Sequence, residues 1–344
     1  MHYGFKTVDL QRISEPKRWN LGTDIMMATR SQHDAGYADE IKAEALRLGF
    51  FACGIAPAGN VNEDARYFAE WIAAGHHAGM KYLENHLAKR FNPHLLVDGV
   101  RSVVSVAMNY YPRRSLDEDQ YQFARYAYGK DYHEVMRRKL NDLFLFIHKE
   151  LHPVGGRVFC DTAPVLERYW AWRAGLGGIG KNTQLIIPKA GSHFFLGELF
   201  LNIELEYDVP LRRNCCGTCV CCIDACPAKA LEQPYTLNAR KCLSYLTIEN
   251  RGVISDAQAA VLGNRIYGCD ECQKVCPWNR FAISCDIPEF QPNSLFLGMQ
   301  KDDWRMLTEE QYQTIFQSSA VKRVKYEGLK RNIEAVDRTL SCEE

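Results

Sequence analysis

Hydrophobic positions recur with two different periods up to about residue 208. Apolar residues fall at helical spacing over Ala38–Leu48 and over the long amphipathic segment Tyr132–His148. The valine-rich segment Ser102–Tyr110 is typical of a strand that stops before Pro112. The same reasoning adds further helices and strands at Arg66–Ala74, Met80–Lys89, Pro164–Ala174, Phe50–Ala56, Arg157–Cys160, Thr183–Ile187 and His193–Leu205. Strands that alternate with helices predict a layered α/β domain.

The pattern changes after Asp208, where short turns and cysteines replace the alternation. The last residues are mostly helical by pattern, and the first residues are polar and mildly basic. We therefore predict four regions: a leader (1–30), a layered α/β domain (31–208), a cysteine-rich domain (209–285) and a short helical C-terminal tail (286–344).

Composition limits the classes of function. The 344 residues include 42 basic and 42 acidic side chains, so the net charge is zero and any surface for a polyanion must be local. No window approaches the ~18 consecutive apolar residues that a membrane helix needs. The first 30 residues do not resemble a secretory signal, so we expect a cytoplasmic protein with no membrane partner.

Cysteines are concentrated in one block. Eleven of the 14 lie between Cys215 and Cys285, which in a long chain favours metal or cluster ligation over a disulfide scaffold. The motif Cys-x-x-Cys-x-x-x-Cys-Pro occurs twice, at 219–227 and at 269–277. Together with an upstream cysteine, the first copy is the bacterial ferredoxin run, in which the fourth cysteine binds a different cluster from the first three.

The crossed pattern predicts two [4Fe–4S] clusters. The second motif lacks one cysteine of the close triplet, and Cys242 is the natural replacement. The predicted ligands are Cys216, Cys219, Cys222 and Cys276 for cluster one, and Cys226, Cys242, Cys269 and Cys272 for cluster two. Cys215 and Cys221 adjoin the first motif, so the sequence leaves open whether either of them takes the place of a predicted ligand.

Two other motifs suggest alternative chemistry. A zinc ribbon is the alternative for the cysteine block. A ribbon needs only four cysteines, in pairs ~15–20 residues apart, and it would leave the Cys-Pro ends of both motifs unexplained. Gly175–Asn182 resembles a nucleotide-binding loop, but Asn182 stands where Ser or Thr must contact Mg²⁺, and a predicted helix precedes the loop where a strand is required. We therefore reject nucleotide binding.

Asp161 follows a predicted strand and precedes a predicted helix. Side chains at the carboxyl end of a strand in an open α/β sheet point into the usual ligand crevice. An Asp before a helix is also a common N-cap, and the pattern alone leaves both roles open. Asp131 is predicted to cap the helix that begins at Tyr132.

Several segments resemble the epoxyqueuosine reductase family, over about residues 35–285. The matching segments are Gly263–Asn279, Lys241–Glu249, Gly129–His133, Asp161-Thr162, Arg173–Asn182 and Lys89–Pro93. The resemblance implies a base-off cobalamin in the N-terminal domain beside a ferredoxin-like domain. It implies a tRNA substrate with a GUN anticodon that carries epoxyqueuosine, reduced to queuosine by cob(I)alamin. The electrons would come through the clusters from an external flavodoxin- or ferredoxin-type donor.

The resemblance also implies roles for individual residues. Asp161 matches the acid that protonates the leaving oxygen, and burial is expected to raise its pKa toward neutrality. The expected cobalamin contacts are Arg90, Asp161, Leu185 and Leu196. We expect a monomer. A reductive dehalogenase-like enzyme and a ferredoxin-type electron-transfer protein are the alternatives.

Binding of tRNA requires a local basic surface. The densest candidate is the run 322–331, in which Lys322, Arg323 and Lys325 are the predicted RNA contacts. Arg168 and Lys181, near Asp161 in sequence, would contact the anticodon loop. The alternative for the run is an ordinary solvated helical face.

Overall fold

The computed structural model describes residues 34–211 and 214–340, so the predicted leader and Cys342 lie outside the described residues. Its helices are α1 (Asp34–Arg47), α2 (Glu63–Ala73), α3 (Leu87–Phe91), α4 (Tyr132–Phe146), α5 (Glu167–Arg173), α6 (Cys221–Asp224), α7 (Asp256–Ala259), α8 (Glu271–Lys274), α9 (Ser294–Gly298), α10 (Lys301–Arg305), α11 (Glu309–Ile315) and α12 (Lys325–Leu340). Its strands are β1 (Ala52–Pro57), β2 (Ser102–Asn109), β3 (Gln122–Phe123), β4 (Gly156–Phe159), β5 (Gly178–Ile179), β6 (Leu185–Ile186), β7 (Phe194–Leu201), β8 (Leu231–Gln233), β9 (Thr236–Leu237) and β10 (Arg265–Tyr267).

A four-stranded antiparallel sheet in the order β1-β2-β7-β4 forms the centre of the N-terminal region. Strands β2 and β7 are buried almost throughout, because helices cover both faces. Leu199 lies in the apolar cluster that includes residues of α1 and α4, and Phe200 lies in the cluster that includes residues of α5. The predicted layering is therefore present. The crevice argument for Asp161 does not hold, since it assumed a parallel sheet, and alternation alone does not set strand direction.

The two helices that flank the Asp161 loop differ in how well the sequence predicts them. The start of α4 agrees, because the Asp131 carboxylate accepts a hydrogen bond from the His133 N–H at 3.0 Å. The predicted start of α5 at Pro164 is wrong, because the helix begins at Glu167 and its N-cap is Leu166. Asp161 lies five residues before that cap, so the capping alternative for Asp161 is also wrong.

The C-terminal segment is helical, as predicted, but it is part of a core rather than a tail. Its side chains pack with residues from before and within the cysteine region into one apolar cluster that includes Tyr121, Tyr267 and Trp304. Parallel pairing of β3 with β10 joins the same regions through the backbone. Composition changes at the predicted domain boundaries, but this apolar cluster contains residues from both sides of them. In the described part of the chain, no helix has the length and apolar character to span a bilayer.

Candidate active site and cluster ligands

Four of the predicted ligands surround one cavity. Cys216, Cys219, Cys222 and Cys276 line a space of about 200 Å³, together with Asn182, Ile186, Pro277 and Trp278. This volume is far larger than the ~10–15 Å³ that one water-sized particle needs, and it therefore suits a polynuclear cluster better than a single ion. Cys215 and Cys221 are not among the lining residues, and the Cys215 Sγ lies 3.9 Å from the Ile179 carbonyl oxygen.

The other four predicted ligands are also close to one another. Burial and the neighbouring thiols Cys269 and Cys242 raise the pKa of Cys272 well above its ordinary value. Burial likewise raises the pKa of Cys269 to about 12. Burial also raises the pKa of Cys242, and the charge of Cys226 adds to that shift. Free thiols in such a place would resist ionisation, whereas a bound metal ion stabilises the thiolate form.

The glycine-rich segment before β6 holds the loop of cluster one. The Lys181 N–H donates to the Cys216 Sγ at 3.3 Å, and the Lys181 Nζ donates to the carbonyl oxygens of Gly217 and Cys219 at 2.8 and 2.9 Å. The Asn182 amide donates to the Cys272 carbonyl oxygen at 3.1 Å. Lys181 is only 9% exposed, so its geometry favours support of the cysteine loop over the predicted contact with RNA.

Asp161 lies in a loop between β4 and α5. Its side chain is 58% exposed and lies near groups from other parts of the chain, among them His133 and Arg323, and this region around Asp161 is called the cleft below. The Asp161 Oδ2 lies 3.0 Å from the His133 Nε2, and the His133 Nδ1 lies 2.6 Å from the Asp131 Oδ1. Tyr132 also acts to lower the pKa of Asp161. A histidine therefore lies between two carboxylates at the cleft.

The protonation states of Asp161 and His133 differ from the predicted upward shift in the pKa of Asp161. The hydrogen bond from His133 lowers the pKa of Asp161 more than burial raises it. Burial opposes the charged form of His133, but the hydrogen bonds to Asp131 and Asp161 outweigh burial and raise its pKa to about 9. The predicted upward shift for Asp161 is therefore wrong for the free protein, and near neutral pH the ionisable proton lies on His133.

Arg90 and Tyr82 line the neighbouring part of the cleft. Arg90 is 9% exposed, its guanidinium lies 5.3 Å from the ring centroid of Phe68, and its Nε has no hydrogen-bond partner among the residues that the structure describes. A buried cationic nitrogen without a partner is costly. Burial and the negative charges of Glu249 and Asp161 raise the pKa of Tyr82, and Arg90 and Arg323 oppose that shift. Charged groups from distant parts of the chain therefore share one cleft.

Comparison with known proteins identifies the family. The family model for epoxyqueuosine reductase QueG (DUF1730) matches residues 90–162, and that for a 4Fe-4S double cluster binding domain matches residues 215–279. The chain is 46% identical to an epoxyqueuosine reductase of Cellulophaga algicola, over 90% of this chain and 99% of the relative. The chain belongs to the epoxyqueuosine reductase family. Family membership makes it an oxidoreductase and disfavours the two alternative functions.

Further relatives agree. An epoxyqueuosine reductase of Leadbetterella byssophila is 48% identical over 87% of this chain and 98% of the relative. The crystal structure of an epoxyqueuosine reductase with an epoxyqueuosine-modified tRNA-Tyr stem loop superposes with a TM-score of 0.79 and 30% identity, over 88% of this chain and 80% of that chain. The family resemblance inferred from the sequence motifs is confirmed.

The two leucines expected to contact the cofactor of an epoxyqueuosine reductase are core residues here. Leu185 in β6 is 5% exposed, and Leu196 in β7 is 8% exposed. Both belong to the apolar cluster between the sheet and α5. Little of either side chain is open to the cleft, so a cofactor contact from them stays a prediction.

The predicted RNA contacts lie in three different settings. Lys322, Arg323 and Lys325 are all exposed, but the Arg323 guanidinium makes two 2.8 Å hydrogen bonds to the Glu249 carboxylate and lies 5.9 Å from the Tyr82 ring centroid. Arg168 donates to the Thr183 carbonyl oxygen at 2.6 Å. Lys322 and Lys325 are therefore the candidates best placed to meet a phosphate.

Sequence reasoning gave no role to three residues of the cleft, namely Tyr82, His133 and Glu167. His133 entered the sequence analysis only as the end of the family-matching segment Gly129–His133. The spacing Asp131-x-His133 at the start of an amphipathic helix is a signal that could have been used, because a helix N-terminus does not favour a histidine cation unless carboxylates compensate. Nothing in the sequence indicates that residue 133 meets residue 161.

The cavity leads to a prediction about iron. We expect about eight irons per chain in anaerobically purified protein, and the loss of about half of them in Cys222→Ser and in Cys269→Ser. Cys215→Ser and Cys221→Ser are the matched controls, because these thiols adjoin the ligands but do not line the cavity. Iron analysis and visible spectra test the assignment. A loss of iron in either control equal to that in Cys222→Ser would contradict it.

The His133 ion pairs predict a pH-dependent stability. Because the folded-state pKa of about 9 exceeds the ordinary 6.5, the stabilisation is complete below about pH 6.5 and disappears as the pH rises through 9. We expect His133→Gln to lower the free energy of unfolding by about 2 kcal/mol at pH 6, a value reduced for the exposure of Asp161, and by little at pH 10. Anaerobic unfolding curves at several pH values measure this difference.

The matched control is His152→Gln, which removes an exposed histidine with no carboxylate contact recorded in the described part of the chain. A His133→Gln effect that is the same at pH 6 and pH 10 would show that the ion pairs do not stabilise the fold.

Proposed function

We propose that this chain reduces epoxyqueuosine to queuosine at the wobble position of tRNA. The observation that carries the proposal is the Asp131–His133–Asp161 group in a cleft, in a chain that also brings eight cysteines into two sets. Conversion of an epoxide to an alkene takes up two electrons and two protons and releases the oxygen as water. The chain therefore has to supply both an electron path and a proton donor.

The cofactors of this proposal are two [4Fe–4S] clusters and a base-off cobalamin. Arg90 would contact the cobalamin, and its unpartnered Nε supports this role. The clusters would carry single electrons from an external flavodoxin- or ferredoxin-type donor to the cobalamin, which as cob(I)alamin would supply the electrons for the reduction. We further propose that the enzyme works in the cytoplasm as a monomer.

Asp161 is the proposed general acid. In the free protein, the proton of the Asp161–His133 pair resides on the His133 Nε2, because the carboxylate is stabilised by the ion pair. When substrate covers the cleft and water leaves, a low-dielectric environment favours the neutral pair, and the proton can pass along this hydrogen bond, whose two heavy atoms are 3.0 Å apart, to the Asp161 Oδ2. Asp161 can then protonate the oxygen of the opening epoxide. The His133 side chain is 22% exposed, so solvent can return a proton to it.

The substrate of the proposed reaction is a tRNA with a GUN anticodon. A solved relative holds an epoxyqueuosine-modified tRNA stem loop, which supports this class of substrate. Lys322 and Lys325 are exposed and flank Arg323 in the sequence, and the charges of Arg323 and Asp161 act on each other, which supports a role for these lysines beside the cleft. Phosphate contacts from these lysines would position the RNA without reading its sequence.

The acid assignment predicts a selective loss of turnover. We expect Asp161→Asn to lower kcat by ~10²–10⁴-fold because an amide cannot donate the proton. Iron content and cobalamin binding should stay at the level of the parent protein. Single-turnover reduction of a modified stem loop measures the rate. Activity within a few-fold of the parent would refute the assignment, and Asp98→Asn, an exposed acid elsewhere, is the control.

The RNA surface predicts a change in salt dependence. Each phosphate contact contributes up to about one unit to the slope of log affinity against log salt. We expect Lys322→Ala/Lys325→Ala to weaken tRNA binding and to flatten this slope by about one to two units. The control is Lys149→Ala, an exposed lysine at the opposite end of α4 from His133. A double variant with the parent's slope would place the RNA contacts elsewhere.

A further inference from the structure

The loop that carries Asp161 needs support from outside itself. Residues 160–166 belong to neither β4 nor α5, and Asp161 has a φ of +54°, in the left-handed region. That region is unfavourable for a residue with a side chain, and such a conformation persists only when its surroundings hold it. Within the loop, the Thr162 N–H donates to the Cys160 carbonyl oxygen at 2.6 Å, but the N–H of Asp161 itself is bound from outside the loop.

Besides His133, which contacts the Asp161 side chain, two side chains reach this loop from the flanking helices. The Glu167 carboxyl accepts a hydrogen bond from the backbone N–H of Asp161. Arg137 of α4 donates to the Thr162 hydroxyl at 2.7 Å. Of the two, the Glu167 contact is made at the strained residue itself.

Glu167 is well anchored for this purpose. It is the first residue of α5, and the next turn of that helix is fixed by Trp170 and Ala171, which are buried against the sheet. Behind it lies Glu198 of β7, which is fully buried and takes a 3.3 Å hydrogen bond from Ser105. A carboxyl on this helix can therefore transmit the position of the sheet to the loop.

We propose that Glu167 is a positioning residue that holds the backbone of Asp161 and thereby sets where the Asp161 carboxyl meets the substrate. The proposal rests on the proposed function of Asp161 as the acid. Glu167 itself stays out of the chemistry: it moves no proton to the substrate and binds no cofactor.

The hydrogen bond does not need a charge on Glu167. Burial and the negative charge of Asp161 raise the pKa of Glu167 to about 8, against the opposing effects of the hydrogen bond from the Asp161 N–H, of Arg168 and of His133. Burial and Glu167 likewise raise the pKa of Glu198. Near neutral pH, Glu167 therefore accepts from the Asp161 N–H mainly as a neutral carboxyl, and a glutamine offers the same acceptor oxygen. A comparison of Glu167→Ala with Glu167→Gln therefore tests the hydrogen bond separately from the charge of residue 167.

The test compares Glu167→Ala with Glu167→Gln in the enzyme loaded with clusters and cobalamin. We expect Glu167→Ala to lower kcat by about 10²-fold with KM for tRNA unchanged, because a small displacement of a reacting group has an effect of this order. Glu167→Gln should restore most of kcat. Glu309→Ala is the matched control, because it removes an exposed carboxylate at the first position of another seven-residue helix.

Hydrogen exchange gives a readout that does not depend on turnover. Peptides that cover residues 160–166 should exchange faster in Glu167→Ala, by up to about tenfold at the Asp161 amide, as expected for the loss of one hydrogen bond. Glu167→Gln should keep the parent's protection. If Glu167→Ala keeps the parent's kcat and protection, or if it loses iron and cobalamin together with activity, the positioning role is overturned. Failure of the acid assignment is separate, because it would appear as an active Asp161→Asn.

Discussion

A buried polar junction joins the cysteine region to the central sheet, and both sites depend on it. The Gln273 side-chain amide donates to the Ser192 carbonyl oxygen at 2.9 Å, and the Asn279 Oδ1 accepts from the Ser192 N–H at 2.7 Å. These two side chains flank the ligand Cys276, while Ser192 lies two residues before β7. A neutral amide in this position satisfies backbone groups that burial would otherwise leave unpaired. The junction therefore fixes the cluster ligands relative to the strand that pairs with β4, and through β4 relative to Asp161.

Four carboxyl groups lie in and around the cleft, and the nearby cation His133 compensates their negative charge to different degrees. Asp131 and Asp161 share hydrogen bonds with one histidine, and the pKa of each is lowered, whereas burial and the charge of a neighbouring carboxylate raise the pKa of Glu167 and of Glu198. Removing water from like-charged carboxyls raises their pKa, and a nearby cation lowers it. The direct hydrogen bonds to His133 therefore separate the two carboxyls with a lowered pKa from the two with a raised pKa. The same fold can hold a reactive carboxylate at its surface and inert acceptors beneath it.

The sequence predicted local elements better than it predicted their arrangement. Close cysteine spacing constrains chemistry directly, since three thiols within seven residues can grip one cluster, so the set of Cys216, Cys219 and Cys222 follows from the spacing alone. The helix at Tyr132 was equally accessible, because its cap and its apolar face are local. The antiparallel sheet, the late start of α5 and the contact of His133 with Asp161 depend on tertiary packing, and no periodicity encodes them. The acid role proposed for Asp161 therefore rests on family resemblance, while the direction of its pKa shift was predicted wrongly.

The predicted C-terminal tail shows why composition cannot define this cleft. Arg323 precedes α12, Glu249 follows the cysteine ligand Cys242, and Tyr82 precedes α3, yet the first is paired to the second and lies beside the third. The exposed Arg323–Glu249 pair contributes little stability on its own, so the shared core of Tyr121, Tyr267 and Trp304 must supply the energy that brings these segments together. Since the same core packs against the loop that ends in Cys269, disruption of cluster two should loosen the rim of the cleft as well as its electron path. The region that composition separates as a tail is thus one wall of the site.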